Sequence, residues 1–276
     1  MVKSVALVNM RSLLRAAEEG GYAVGSFSVA NMECIRGVIR AAEGLRSPAI
    51  LQVAEIRLPY DPLYLIGPMM LAAARHASVP VAVHLDHGKT FPCVQEALQL
   101  GFTSVMYDGS DLPIEENVAM VKKIVGLAEE SGAAVEAEVG RVGRGEDGSE
   151  SEETIAALDD CFRMDQTGID ALAVGIGNAH GLYTAAPKLR YDVLEQLQGR
   201  LHAAPVLHGG TGLDDEQFRR LISLGIRKIN IATDIFMAQA GACCGQDIFR
   251  NIAASVDAVS DTVRRYIKLF GSEGKA

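Results

Sequence analysis

Short apolar runs rich in Val, Ile and Ala recur eight times along the chain, and amphipathic segments separate them. The runs are AVGSFSV (23–29), PAILQVA (48–54), PVAVHLDH (80–87), SVMYD (104–108), AVEAEVG (134–140), ALAVGIG (171–177), PVLHGG (205–210) and KINIATD (228–234). Most are apolar nearly throughout, which marks strands buried on both faces, as in a parallel sheet. Between them, segments such as MECIRGVIRAAEGL (32–45), IEENVAMVKKIVGLAEESG (114–132) and DDEQFRRLISLG (214–225) have helical periodicity. Several end in Gly just before the next strand, the usual helix C-cap. Strand–helix alternation repeated eight times predicts a (β/α)8 TIM barrel, forming one domain over residues 1–276. An open doubly wound sheet is the alternative, because periodicity does not show closure. Beyond residue 234 the pattern continues as helix to about 270.

With 276 residues, 49% of them hydrophobic, the chain can bury the core of one such barrel. A formal charge of −9 argues against nucleic acid as a partner. It leaves room for a small phosphorylated ligand, since a few oriented backbone N–H groups hold one phosphate whatever the net charge. Cys34, Cys93, Cys161, Cys243 and Cys244 form no CxxC pair and read as reduced thiols of a cytoplasmic protein. The opening MVKSVALVNMRSLLRAAEEGGYA soon gains charges at helical spacing, so it reads as a first helix and not a signal peptide. Nowhere do about 18 apolar residues run uninterrupted, so no membrane span is expected. GRGEDGSESEE (143–153) is polar and Gly/Ser-containing, and reads as a mobile loop after the fifth strand.

The unusual residues fall at the ends of strands. His84, Asp86 and His87 close the third run, Asp108 closes the fourth, and Glu136 and Glu138 lie in the fifth. His180 follows the sixth by three residues, His208 lies in the seventh, and Asn230, Thr233 and Asp234 lie in or just after the eighth. In a TIM barrel these strand ends converge on the active-site mouth. Three imidazoles on one divalent ion, with a position left open, is the geometry of catalytic zinc. Such an ion acts as a Lewis acid or lowers the pKa of bound water. Strand alternation puts His84 and Asp86 on one face and His87 on the other unless the strand has ended or bends. The metal is assigned to His87 and a supporting role to His84, but spacing does not decide between them. HGGTG (208–212) and NIATD (230–234) follow strands seven and eight, the usual phosphate-binding end of this fold. His76 and His202 lie in helix or connection and read as surface residues.

At HLDHGKT, GNAHGLY, LHGGTG and NIATD the sequence resembles the class II fructose- and tagatose-bisphosphate aldolases, and the likeness extends over nearly the whole chain. The resemblance implies a metal-dependent lyase cleaving a phosphorylated ketose to dihydroxyacetone phosphate and an aldehyde such as glyceraldehyde 3-phosphate. It implies that His87, His180 and His208 hold Zn2+ and that Asp86 carries the proton of the C4 hydroxyl. Gly181, the run Gly209, Gly210 and Thr211, and the run Asn230, Ile231, Ala232 and Thr233 would bind the dihydroxyacetone phosphate half. Asp108 and Glu138 would supply a second divalent position, and Glu146 would shuttle the C1 proton. Relatives of this kind are homodimers or homotetramers, some with a monovalent cation near the phosphate.

The departures concern the other half of the substrate. Ala54-Glu55-Ile56 stands where family members commonly carry Ser-Glu-Gly, and Arg144-Gly145 stands where a Gly-Gly pair precedes the loop acid. The segment IFMAQAGACCGQDIFR also looks unlike the family's. Two alternatives follow. One is an aldolase for another phosphorylated substrate, such as 5-dehydro-2-deoxyphosphogluconate. The other is a non-catalytic phosphosugar-binding subunit, which would have no need of the proton carrier Asp86.

Overall fold

The structure, a computed structural model, describes residues 6–143, 154–182, 187–245 and 247–276. Eight parallel strands pair in chain order, and the first also pairs with the last, so the sheet closes on itself. The strands are β1 (Val24–Ser28), β2 (Ala49–Ala54), β3 (Val81–Gly88), β4 (Ser104–Tyr107), β5 (Ala134–Val139), β6 (Ala171–Val174), β7 (Ala204–Leu207) and β8 (Lys228–Ile231). Among the described residues ten α-helices pack on the barrel: α1 (Met10–Gly20), α2 (Met32–Gly44), α3 (Leu63–His76), α4 (Phe91–Leu100), α5 (Ile114–Ser131), α6 (Leu158–Asp165), α7 (Tyr191–Leu197), α8 (Asp215–Ser223), α9 (Thr233–Ala242) and α10 (Ile248–Leu269). Closure decides for the TIM barrel over the open sheet.

Alternation along each strand sends one set of side chains outward and the other into the barrel. The outward set, including Phe27, Leu51, Val83, Leu85 and Ile229, packs against the apolar faces of the helices. Inside, the N-terminal end of the barrel is dry. Met10, Leu13, Leu14 and Ala17 of α1 close it from below, against Val24, Ile50, Ala82, Met106, Ala134 and Val206. Asn9 caps α1 by accepting from the Arg11 amide, and the preceding Val8 amide donates to the Val81 carbonyl, which fixes the helix under the barrel. The first helix predicted from the opening sequence thus forms a floor.

The helix expected to run on to residue 270 is instead two helices, α9 and α10. The break has a local cause: Asp247 accepts from the Phe249 and Arg250 amides and starts a new helix. Asn251 holds Gly245 from both sides, accepting from its amide and donating to its carbonyl. Three of the cysteines are buried, while Cys243 and Cys244 are exposed at this break. His76 and His202 are exposed, as expected. Among the described residues no helix is long and apolar enough to cross a membrane.

Candidate active site

The inward positions nearer the C-terminal end of the barrel are polar and fully buried: Ser26, Gln52, His84, Asp86, Ser104, Glu136, Glu138, Lys228 and Asn230. The direction of His87, which alternation left open, is set by the backbone. Leu85 and Gly88 of β3 pair with Val105 and Tyr107 of β4, so β3 carries one extra residue in this interval. That bulge places His87 in the left-handed region at φ 41°. A non-glycine residue there costs on the order of 1–3 kcal/mol. The consequence is that Asp86 and His87, adjacent in sequence, both reach the barrel mouth.

His87, His180 and His208 converge there, each offering one ring nitrogen, with the three nitrogens within 4.8 Å of one another and all three residues buried. The other nitrogens of two rings are occupied by carboxylates. His87 Nδ1 donates to Asp108 Oδ2 at 2.8 Å, and His208 Nε2 donates to Glu136 Oε1 at 2.7 Å. This leaves His87 Nε2 and His208 Nδ1 facing each other at 2.8 Å. A carboxylate behind each imidazole fixes its tautomer and aims its free nitrogen, as in metal-binding histidines generally. His84 is not part of this group. Its Nδ1 meets Ser104 Oγ at 3.0 Å, and its Nε2 lies 3.6 Å from Glu136 and 4.0 Å from Asp86.

The electrostatics favour a cation at this point. Burial lowers the pKa of His87, but the carboxylates of Asp86, Asp108 and Glu138 outweigh it and push the ring up to about 10. His208 goes the other way, held well below its ordinary value by burial and then by the neighbouring His87 charge. Burial raises the Asp108 carboxyl, yet its hydrogen bond and charge contact with His87, and then Lys89, bring it well below the usual range. Glu138 is raised to about 8 by burial and by Asp108. Its buried Oε2 makes no hydrogen bond and lies 3.6 Å from His208 Nδ1. His87, Asp108 and Glu138 form a second group able to hold a metal ion, sharing His87 with the first.

Asp86 sits beside the histidines with both oxygens held. Asn230 Nδ2 donates to Oδ1 at 3.0 Å, and Gln52 Nε2 donates to Oδ2 at 2.9 Å. His180 also borders one cleft, whose other walls are Gly181, Gly209, Gly210, Thr211, Asn230, Ala232 and Thr233. Gly209 has φ 62°, and a Cβ there would stand 2.2 Å from the Ala179 carbonyl oxygen, so only glycine fits this approach of two loops. Thr211 Oγ1 is buried without a partner, and α9 starts at Thr233 with its N-terminal amides beside the cleft. A hydroxyl donor, a glycine turn that lets backbone approach closely and a helix N-terminus together suit a phosphate. Ile231 is not in the cleft; its side chain packs in the outer hydrophobic shell. Glu146 lies outside the described residues.

Three contributors had no role assigned from the sequence. Glu136 is one, and Gln52 is another. Asn178 is buried in the loop after β6, where its Nδ2 donates to the His208 carbonyl at 2.8 Å and its Oδ1 accepts from the Ile176 amide. The available signal for the first two was inward parity with Asp86 and His84, a polar residue every second position in otherwise apolar strands.

The sequence and the fold have known relatives. The profile of the family described as fructose-bisphosphate aldolase class-II matches residues 8–275, and the chain belongs to that family of carbon–carbon lyases. The fructose-bisphosphate aldolase of Streptococcus pneumoniae is 38% identical, with 99% of this chain and 100% of that protein covered. The 6-phospho-5-dehydro-2-deoxy-D-gluconate aldolase of Halalkalibacterium halodurans is also 38% identical, with 99% of each covered. Among solved structures, the YdjI aldolase of Escherichia coli K12 superposes with a TM-score of 0.89 at 34% identity, over 98% of this chain and 99% of that one.

Proposed function

We propose that this aldolase reversibly cleaves a phosphorylated ketose, fructose 1,6-bisphosphate or tagatose 1,6-bisphosphate, to dihydroxyacetone phosphate and glyceraldehyde 3-phosphate. The observation that carries the reading is one three-histidine cluster that meets the glycine cleft through His180, with Asp86 tied to the same cleft through Asn230. His87, His180 and His208 fit Zn2+: three buried imidazoles, two of them backed by carboxylates, in a field of excess negative charge. When bound, the ion supplies Lewis-acid stabilisation of the enediolate charge that cleavage leaves on the ketose fragment. Gly181, the Gly209–Thr211 turn and the Asn230–Thr233 segment hold the phosphate of that fragment, with Ile231 contributing backbone only. Asp86 removes the C4 hydroxyl proton as the C3–C4 bond breaks, and returns it to the aldehyde oxygen in condensation. Its two amide donors keep the carboxylate aimed while leaving further lone pairs to receive that proton. Glu146 exchanges the C1 proton of the fragment. His87 also belongs to the second group, so Asp108 and Glu138 offer an alternative seat for a divalent ion; a monovalent cation near the phosphate belongs to the same reading.

Coupled cleavage assays on both bisphosphates, before and after chelation, test this reading. Activity should vanish with the metal and return with zinc, and activity that persists after complete removal overturns it. One feature favours a second substrate, 6-phospho-5-dehydro-2-deoxygluconate. Glu55 is occupied by the chain itself, because it accepts from the Lys89 and Thr90 amides and the Thr90 hydroxyl at the start of α4. Ile56 beside it is exposed and apolar. With Ala54, this turn offers no hydroxyl to a sugar, so kcat/KM over a panel of all three substrates decides the aldehyde half.

A homodimer or homotetramer is the proposed assembly. Tyr60, Tyr64, Leu65, Met237, Ile248 and Phe249 are exposed on or beside α3, α9 and the start of α10, a concentration of large apolar side chains suited to a second copy. Sedimentation analysis checks this: a monomer at micromolar concentration would contradict it. The chain's place in the cytoplasm is proposed on the reduced state of its cysteines.

A further inference from the structure

Lys228 opens β8 and is fully buried inside the barrel, among the deepest charged groups of the molecule. An ammonium in that position is costly unless it is paired and hydrogen-bonded. It has two partners. Its Nζ lies 2.9 Å from Glu136 Oε2 and donates to Asn230 Oδ1 at 2.7 Å. The other oxygen of Glu136 holds His208 Nε2, and the other end of the Asn230 amide holds Asp86 Oδ1. The ammonium is therefore the joint of two arms. One runs through a carboxylate to an imidazole of the histidine cluster, and the other runs through an amide to the carboxylate beside it.

We propose that Lys228 is a positioning residue that sets the aim of both His208 and Asp86, so that the metal seat and the proton carrier are fixed from a single buried charge. The proposal rests on the roles given to His208 and Asp86 above. Two features of the geometry distinguish this from simple charge balance. Glu136 alone would satisfy the ammonium's charge, yet a second, neutral partner is engaged. That partner is an amide held at both ends, by the Lys228 ammonium at Oδ1 and by the Asp86 carboxylate at Nδ2. Without Lys228 the amide keeps only its contact to Asp86, its buried oxygen loses its donor, and the pair is free to shift together. The spacing Lys228–Asn230 on one strand makes the contact local, since both side chains project inward. The Lys228 side chain has no exposure, and its nitrogen is engaged by Glu136 and Asn230.

The test is a double-mutant cycle of Lys228→Met and Glu136→Gln, with three readouts: thermal unfolding, zinc affinity by competition with a chromophoric chelator, and kcat with KM. Lys228→Met removes both donors and strands the Glu136 charge; zinc affinity should fall about 10- to 100-fold, the range for losing an outer partner of a metal ligand. It should also lower kcat with KM little changed. Because that variant can fail to fold, the double variant decides. Removing both partners relieves the stranded charge, so K228M/E136Q should unfold and bind zinc as E136Q does. Its kcat should still lie roughly tenfold or more below that of E136Q, because Asn230 remains unanchored and a misplaced reacting group is expensive. A double variant with the kcat of E136Q would reduce Lys228 to a counter-ion and overturn the proposal, as would a Lys228→Met enzyme with both zinc affinity and kcat intact. Asp86→Ala assayed in parallel separates the two levels. Turnover surviving in Asp86→Ala refutes the proton-carrier reading. Turnover lost there but unaltered in the double variant relative to E136Q refutes only the aiming role.

Discussion

The two ends of this barrel are built from the same strands yet obey different rules. At the floor, inward positions such as Val24, Ile50, Ala82 and Ala134 are apolar, and α1 seals them with Met10, Leu13 and Leu14. Two residues further along the same strands, the inward positions become Ser26, Gln52, His84 and Glu136, all without exposure. The floor is stabilised by removing apolar area from water, which is non-directional and tolerant of shape. The mouth is stabilised only where each polar atom meets its partner, because an unpaired buried charge is expensive. The proposed site accordingly sits at the end where the sequence accepted burial of five or more charged groups and a strained His87. The floor is the foundation that holds those groups in register.

Substitutions at the two ends should therefore separate activity from stability. The largest effect is expected at the mouth: Asp86→Ala should reduce kcat by roughly 10²- to 10⁴-fold, the range for a general acid–base group. Its zinc content should stay near that of the parent, as metal analysis would show, while calorimetry should register only the cost, about 1–3 kcal/mol, of leaving the Gln52 and Asn230 amides without their acceptor. At the floor, Met10→Ala should cost about 2–5 kcal/mol of stability by leaving a cavity under the barrel. In denaturant titration the midpoint should fall, while kcat per folded molecule holds. A floor variant with intact stability but damaged kcat would erase the distinction.

Smaller effects sharpen the picture within the mouth. Asp108→Asn keeps the shape but weakens the hold on His87 Nδ1, and zinc affinity should fall about 10- to 100-fold with the fold intact. The pH dependence of zinc binding follows from His87. With its pKa raised to about 10, the ring keeps a proton at neutral pH, and that proton competes with the ion for Nε2. Zinc affinity should thus rise by about tenfold per pH unit as pH increases toward 10, with proton release on binding. Titration calorimetry in buffers of different ionisation enthalpy measures that release. An affinity that is flat between pH 6 and 8 would contradict the protonated ring.

Much of this was legible in the sequence because it depends on local pattern. Strand interiors such as AILQVA and the capped helix after Asp214, with its reciprocal Gln217 contact, announce themselves in composition and spacing. The gathering of polar residues at strand ends also pointed to the face on which the three histidines come together. What did not show is whatever depends on pairing between distant strands. Closure needs β1 beside β8, and the turn of His87 needs a bulge defined against β4. Glu136 stands out in the sequence without a role and Lys228 does not stand out at all, since only the assembled barrel places them 2.9 Å apart. Ile231 was grouped with the phosphate run by adjacency, whereas strand parity sends its side chain outward.

The central claim is that the mouth works as a metal-dependent aldol site built on His87, His180 and His208. Its most direct test is to strip the purified chain of metal and titrate zinc back while following cleavage of fructose 1,6-bisphosphate, tagatose 1,6-bisphosphate and 6-phospho-5-dehydro-2-deoxygluconate. Turnover of at least one substrate should rise from zero in proportion to zinc and saturate near one ion per chain, and His208→Ala should abolish the response. Full turnover in the stripped protein, or a zinc response untouched by His208→Ala, would contradict the account.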